Sequence, residues 1–257
     1  MKAVVVTGAE RGLGKAIART LLEDGYHLIA LSLSMAELEK MKQEMVASLG
    51  IMEHSIDLIE YDLEDIHNMG SLVGSIHSCL DNTKSLWAYV NNAAVFLPRP
   101  GKACSLLEIG LNDTLTIMNV NMVASLFLSR EMFRLLKENG NGGAIVFISS
   151  TVSIRGSVIN PVYAMTKAAL VNLVKSMSIE GGPEKIRINA ISPGIMETQM
   201  GMEVFSTRNR LKERVEKNLI KRACTPEEVS QLVKYLISVK AEYITGQNLV
   251  IDGGLTV

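Results

Sequence analysis

The chain has 257 residues, 47% of them apolar, and a net charge of −1. That is the profile of a compact soluble protein with length enough for an ample core. A charge so near zero leaves no electrostatic footprint for nucleic acid or an acidic membrane surface, and no stretch approaches the ~18 continuous apolar residues that span a bilayer.

Short β-branched runs alternate with helical segments along the chain. Ala3–Thr7 reads as a strand and Gly12–Asp24 as a helix ended by Gly25. Leu28–Ser32 is a second strand, followed by a helix over Met35–Leu49. Ile56–Tyr61 is a third strand and Ile66–Cys79 a helix. Leu86–Asn91 is a fourth strand, and one long helix is expected over Asp113–Glu138. Gly143–Ser149, Ile186–Ile191 and Asn248–Ile251 are the later strands, with helices over Pro161–Glu180 and Glu227–Ile237 between them. Strands separated by helices of this length imply right-handed crossovers. The expected fold is therefore α/β: one doubly wound, Rossmann-type parallel sheet of about seven strands with helices on both faces. No repeat or linker divides the chain, so residues 1–257 form one expected domain. The stretch 195–222 interrupts the alternation and holds Met196, Met200, Met202, Val204 and Phe205, the placement and composition of a substrate lid.

Three scattered cysteines, Cys79, Cys104 and Cys224, read as reduced thiols of a cytoplasmic protein. The opening run Lys2–Val6 lacks a signal-peptide layout. Four separated histidines (His27, His54, His67, His77) show no metal-ligand spacing, so no metal is expected.

Thr7-Gly8-Ala9-Glu10-Arg11-Gly12-Leu13-Gly14 follows the first strand and opens the first helix. Glycines there let the backbone turn tightly and approach a pyrophosphate resting on the helix N-terminus. Further along, Tyr163 and Lys167 stand four residues apart and share one helix face. A fixed positive charge beside a phenol favours phenolate and draws its pKa toward the working range, which makes the pair a proton-transfer device. Ser150 closes the fifth strand and can donate to an oxygen on which negative charge develops. Ser149 beside it is an alternative; the spacing to Tyr163 favours Ser150.

With this glycine spacing the chain resembles the short-chain dehydrogenase/reductase family. Asp62-Leu63 resembles its adenine-contacting pair, and Asn91-Asn92-Ala93-Ala94 its Asn-Asn-Ala-Gly segment, with Ala94 replacing the glycine. Asn121 matches its catalytic asparagine, which orients a water for proton relay, in preference to Asn119. Pro193-Gly194 and Thr198 match the segment that holds the nicotinamide end, and Thr245-Gly246-Gln247 with Asp252-Gly253-Gly254 match its C-terminal pattern. The resemblance implies Asn121, Ser150, Tyr163 and Lys167 as the catalytic set, with Lys167 also gripping the nicotinamide ribose. It implies cofactor contacts from Thr7, Gly8, Arg11, Gly12, Leu13, Gly14, Ser32, Asp62, Leu63, Asn91, Ala93, Tyr163, Lys167, Pro193, Gly194 and Thr198.

The second strand ends Ser32-Leu33-Ser34 without the acid that reads a free ribose 2′-hydroxyl, and Arg11 can pair with a 2′-phosphate. NADP(H) is expected over NAD(H), although Glu10 adjoins Arg11. The expected substrate is a small carbonyl or alcohol compound, partly apolar to judge by the lid and by Val95, Phe96 and Leu97. In look the chain is closest to 3-oxoacyl-thioester reductases, but Asn141 and Glu184 stand where those acting on acyl carrier protein present arginines. Sugar, polyol and steroid alcohols are alternative substrates, and a non-catalytic cofactor-binding protein is the alternative from another class. Apolar residues around more than one face of Thr114–Leu136 and Val162–Ile179 point to a homo-oligomer, dimer or tetramer.

Overall fold

The computed structural model describes residues 1–96, 106–201 and 208–257. Leu97, Cys104, Met202, Val204 and Phe205 lie outside them. Among the described residues, seven parallel strands form one sheet in the order β3-β2-β1-β4-β5-β6-β7. They are β1 (Lys2–Thr7), β2 (His27–Ser32), β3 (Ile56–Glu60), β4 (Ser85–Asn91), β5 (Gly143–Ile148), β6 (Ile186–Pro193) and β7 (Asn248–Ile251). The helices are α1 (Gly12–Glu23), α2 (Met35–Leu49), α3 (Met69–Cys79), α4 (Leu111–Met118), α5 (Ser125–Asn139), α6 (Val152–Arg155), α7 (Pro161–Gly181), α8 (Arg208–Val215) and α9 (Pro226–Ile237).

Both faces of the sheet are covered, which explains why its strands read as near-continuous apolar runs. Side chains alternate across each strand. Val4 and Val6 of β1 join Leu28, Ala30, Val90 and Val146 under Ile17, Val229 and Val233, from α1 and α9. Their neighbours Ala3 and Val5 join Ile29, Tyr89 and Phe147 under Leu72, Leu128, Met132 and Val174, from α3, α5 and α7. Each valine of β1 is wholly buried, and such burial contributes about 1.5–3 kcal/mol per side chain. α9 begins with a capping box between Thr225 and Glu228. Arg222 grips the same carboxylate from outside and holds Glu228 down at about 2.

The strand order reverses between β1 and β4, where a doubly wound sheet opens a crevice at its carboxyl ends. Two differences from the expected elements bear on that crevice. The long helix is broken: α4 passes into a π-helical stretch, Asn119–Ala124, before α5 resumes. The extra residue per turn leaves the apolar stripe of the flanking turns intact, so periodicity alone does not betray it. A short helix, α6, also stands between β5 and α7, in a segment too brief for helical periodicity to register.

Candidate active site

A cleft of about 800 Å³ runs over the carboxyl ends of β1, β2, β4, β5 and β6. At one end the glycine turn forms its floor. Gly8 and Gly12 have φ of +64° and +51°, left-handed values that favour glycine. A Cβ on Gly14 would lie 1.7 Å from the Gly8 carbonyl oxygen, so only glycine lets α1 start this close to β1. No side chain caps the N-terminus of α1 and no acid occupies its first turn. Its free N–H groups and positive dipole end therefore remain for an anion. These features fit the pyrophosphate of a nicotinamide dinucleotide.

Of the residues expected at the cofactor, Gly8, Arg11, Gly12, Leu13, Gly14, Ser32, Asp62, Leu63, Ala93, Pro193, Gly194 and Thr198 line the cleft. Thr7 and Asn91 do not. Thr7 is buried, and its Oγ1 accepts from the backbone N–H groups of Asn92 (2.9 Å) and Ala93 (3.0 Å). It joins the ends of β1 and β4 from behind. Asn91 accepts from the Tyr89 hydroxyl at 2.8 Å and donates to Ser125 at 3.0 Å, inside the core. The next residue, Asn92, faces the cleft instead and donates to the carbonyls of Thr7 (2.9 Å) and Gly8 (3.1 Å). The reversal of direction between successive residues at a strand end explains the exchange.

Glu10 also lines the cleft. Its Oε1 lies 3.4 Å from Arg11 Nε, while its Oε2 is buried and has no hydrogen-bond partner among the described residues. The Arg11 side chain remains 69% exposed.

Tyr163, Lys167 and Ser150 line the same cleft. Asn160 caps α7: its Oδ1 accepts from the Tyr163 N–H at 2.9 Å, and its Nδ2 donates to the Phe96 carbonyl. The Phe96 ring packs edge-on against Tyr163, with centroids 4.6 Å apart. Lys167 is 1% exposed. Its Nζ donates to the Ile148 carbonyl at 2.7 Å and lies 5.5 Å from the Tyr163 ring centroid. Burial pushes the Tyr163 phenol above its ordinary value and the Lys167 ammonium down to about 7. This corrects the expected lowering of Tyr163 by Lys167. Both groups are withdrawn from water, which disfavours both charged forms and outweighs the pull of the ammonium on the phenol.

Ser149 and Ser150 differ in their surroundings. Ser149 is buried and donates to the Lys167 backbone carbonyl at 2.9 Å. Ser150 Oγ accepts from the Val152 N–H at 3.3 Å, an arrangement that leaves its own proton to donate into the cleft. Asn121 sits in the π-helical stretch, wholly buried. It pins both backbone groups of Val95, accepting from its N–H and donating to its carbonyl at 2.8 Å each. Among the cleft residues that sequence reasoning missed are two cations, Arg155 and Arg214, neither of which belongs to a recognisable motif.

Residues 8–256 match the family model described as enoyl-(acyl carrier protein) reductase. The chain is 32% identical over 251 residues to L-xylulose reductase of Homo sapiens, covering 98% of this chain and 95% of the relative. It is 29% identical over 256 residues to the 3-oxoacyl-[acyl-carrier-protein] reductase of Aquifex aeolicus, covering 99% and 97%. Among solved structures it superposes on 4-hydroxyisoleucine dehydrogenase complexed with NADH, with a TM-score of 0.86, 28% identity, and 100% and 99% of the two chains covered. The glycine turn, the buried Tyr163 and Lys167 and the matched length agree: the chain belongs to the short-chain dehydrogenase/reductase family, NAD(P)-dependent oxidoreductases that interconvert carbonyls and alcohols.

Proposed function

We propose that this chain is an NADPH-dependent reductase of ketones or 3-oxoacyl thioesters, with Tyr163 as the proton donor. The observation that carries the reading is the convergence of Ser150, Tyr163 and Lys167 on the cleft whose floor is the glycine turn. A protonated phenol is the form that gives a proton to a carbonyl oxygen. Nicotinamide, when bound, supplies the hydride. Ser150 donates a hydrogen bond to the same substrate oxygen and stabilises its developing charge. Lys167, held by the Ile148 carbonyl, grips the nicotinamide ribose. Asn121 fixes the Val95 backbone at the cleft wall and thereby shapes the substrate end. Residues 1–257 act as one domain, with 195–222 as its substrate lid; Met196, Thr198, Met200 and Arg214 from that stretch line the cleft.

For the cofactor, the exposed Arg11 and the lack of an acid at Ser32 and Leu33 support a 2′-phosphate. A second reading, NAD(H), has the Glu10 Oε2 in its favour, since a ribose 2′-hydroxyl would satisfy that buried oxygen and a phosphate would not. Among substrates, a carrier-bound thioester is disfavoured because Glu184 is engaged by Lys137 at 2.7 Å and presents no cation there; a sugar or polyol alcohol is the alternative. No helix among the described residues is long and apolar enough to cross a membrane, in keeping with a cytoplasmic enzyme. Exposed Leu115, Leu126, Phe127, Met165 and Ile179 on α4, α5 and α7 support a homo-oligomer, dimer or tetramer.

One experiment tests the reading: a panel of ketones, secondary alcohols and 3-oxoacyl thioesters followed by nicotinamide absorbance, with NADPH and with NADH. Turnover by the native protein and a loss of roughly 10²–10⁴-fold in Tyr163→Phe are expected. Undiminished turnover in Tyr163→Phe would remove Tyr163 from the proton-transfer role, and a clear preference for NADH would reverse the cofactor assignment.

A further inference from the structure

We propose that Arg155 and Arg214 form an anion-binding subsite, and that the substrate carries a carboxylate or phosphate besides its reacting carbonyl. The inference rests on the reductase reading and names the substrate class of that same site.

Both arginines line the cleft that holds Ser150, Tyr163 and Lys167. They arrive from different elements. Arg155 ends α6, the short helix that starts beside Ser150, and Arg214 lies on α8. α8 is held down where Val215 and Leu211 pack with Ile195 and Ala223, so the chain brings Arg214 to the cleft by burying its neighbours. Neither guanidinium has an ion-pair or side-chain hydrogen-bond partner among the described residues. That sets them apart from Arg19, Arg134 and Arg222, which each face a carboxylate. Burial first, and the Arg214 charge second, push Arg155 below its ordinary value, with Asp252 opposing. The two cations are thus near enough to repel. Asp252 does not neutralise them by pairing: its carboxylate accepts from the N–H groups of Gly254 and Thr256 (2.9 Å each) and from Thr256 Oγ1 (2.7 Å).

Two like charges lining one concave site without a partner cost free energy unless an anion joins them. Guanidinium forks match carboxylate and phosphate oxygens. Arg155 stands five residues after Ser150, and both line the cleft, so one substrate can meet the two. Val152, Val158 and Met196 line the wall, which suits an apolar spacer between the carbonyl and the anion. An oxo acid meets this description, and so does a phosphorylated ketone; neutral ketones of the same shape lack the anchoring group.

The test is a set of matched pairs: oxo acids of increasing chain length against their methyl esters, and dihydroxyacetone phosphate against dihydroxyacetone. In the native protein the anionic member of at least one pair is expected to have a kcat/KM roughly tenfold to a hundredfold higher, the worth of a charge-assisted contact. The pair that shows it tells carboxylate from phosphate. In Arg155→Gln combined with Arg214→Gln the anionic-to-neutral ratio is expected to fall toward one through KM, with partial recovery in Arg155→Lys. A ratio near one in the native protein, or one unchanged by the double substitution, overturns the proposal. Absence of turnover with every pair counts against the reductase reading instead. The subsite is then read by calorimetric titration with glutarate and with inorganic phosphate: saturable binding lost in the double variant supports it, and equal behaviour of the two proteins overturns it.

Discussion

Lys167 places an ammonium where water does not reach, and folding has to bear that cost. Its value in the folded protein, about 7, lies below the ordinary 10.5. Between those values the unfolded chain holds a proton that the folded chain has lost, so stability is greatest above 10.5 and falls as pH falls toward 7. Tyr163, raised by burial, acts the opposite way only above its ordinary value of 10, where its contribution begins to be lost. Urea unfolding of the native protein and of Lys167→Met is expected to show the variant as the more stable at pH 7, with the gap narrowing as pH rises toward 10.5. Parallel curves at all pH values would mean that Lys167 is not buried in its charged form. At this scale the sequence was a partial guide. Tyr163, Lys167 and Ser150 stand out because their chemistry requires those side chains at those spacings. The signs of their pKa shifts do not, since a pairwise argument between helix neighbours takes no account of desolvation. Asn91 turns into the core and Asn92 into the cleft, and a strand end offers no local sign of which of two like residues faces which way. Arg155 and Arg214 were missed because anion recognition needs only that two cations meet, and sequence separation does not say that they do.

Among the elements, the junction of β1 and α1 is the most constrained. Gly14→Ala would drive a Cβ into the Gly8 carbonyl, forcing the helix start away from the strand. The expected result is about 1–3 kcal/mol of destabilisation and loss of saturable nicotinamide binding, measured by thermal melting and by the fluorescence of bound NADPH. Retained binding with a native melting temperature would show that the turn has room to relax. This junction can be read from sequence because backbone geometry there admits one residue type. The π-helical stretch cannot: Asn119–Ala124 preserves the apolar character of its neighbours, and its hydrogen bonds with Val95 join residues 26 apart in the chain. Likewise β6 runs on through Pro193, beyond its β-branched run. At the outer end of the sheet's last pairing, Pro193 stands opposite Ile251, where the proline's missing N–H does least harm.

At the scale of the whole molecule, the parallel order of strands follows from their alternation with helices, and the crevice follows from the reversal between β1 and β4. What alternation leaves open is the outer surface of α4, α5 and α7. Leu115, Phe127 and Met165 are 46%, 40% and 51% exposed, in helices whose other sides pack on the sheet. Light scattering is expected to give two or four times the chain mass, and Phe127→Glu with Met165→Glu to give the monomer with its helical circular dichroism intact. A native protein that runs as a monomer at micromolar concentration would leave these residues as surface alone.

The two links between β5 and α7 have a mechanical meaning. Ser149 holds the main chain of Lys167, and Ile148 holds the tip of its side chain, so adjoining links of one strand clamp both ends of a single residue. A group fixed at two points cannot swing about either. The ammonium therefore stays in register with the end of β5 and with the segment just beyond it that carries Ser149 and Ser150. The Lys167 end of the cleft is thus tied to the sheet at two points, whereas Arg155 and Arg214 line the same cleft from α6 and α8 and take no part in the clamp.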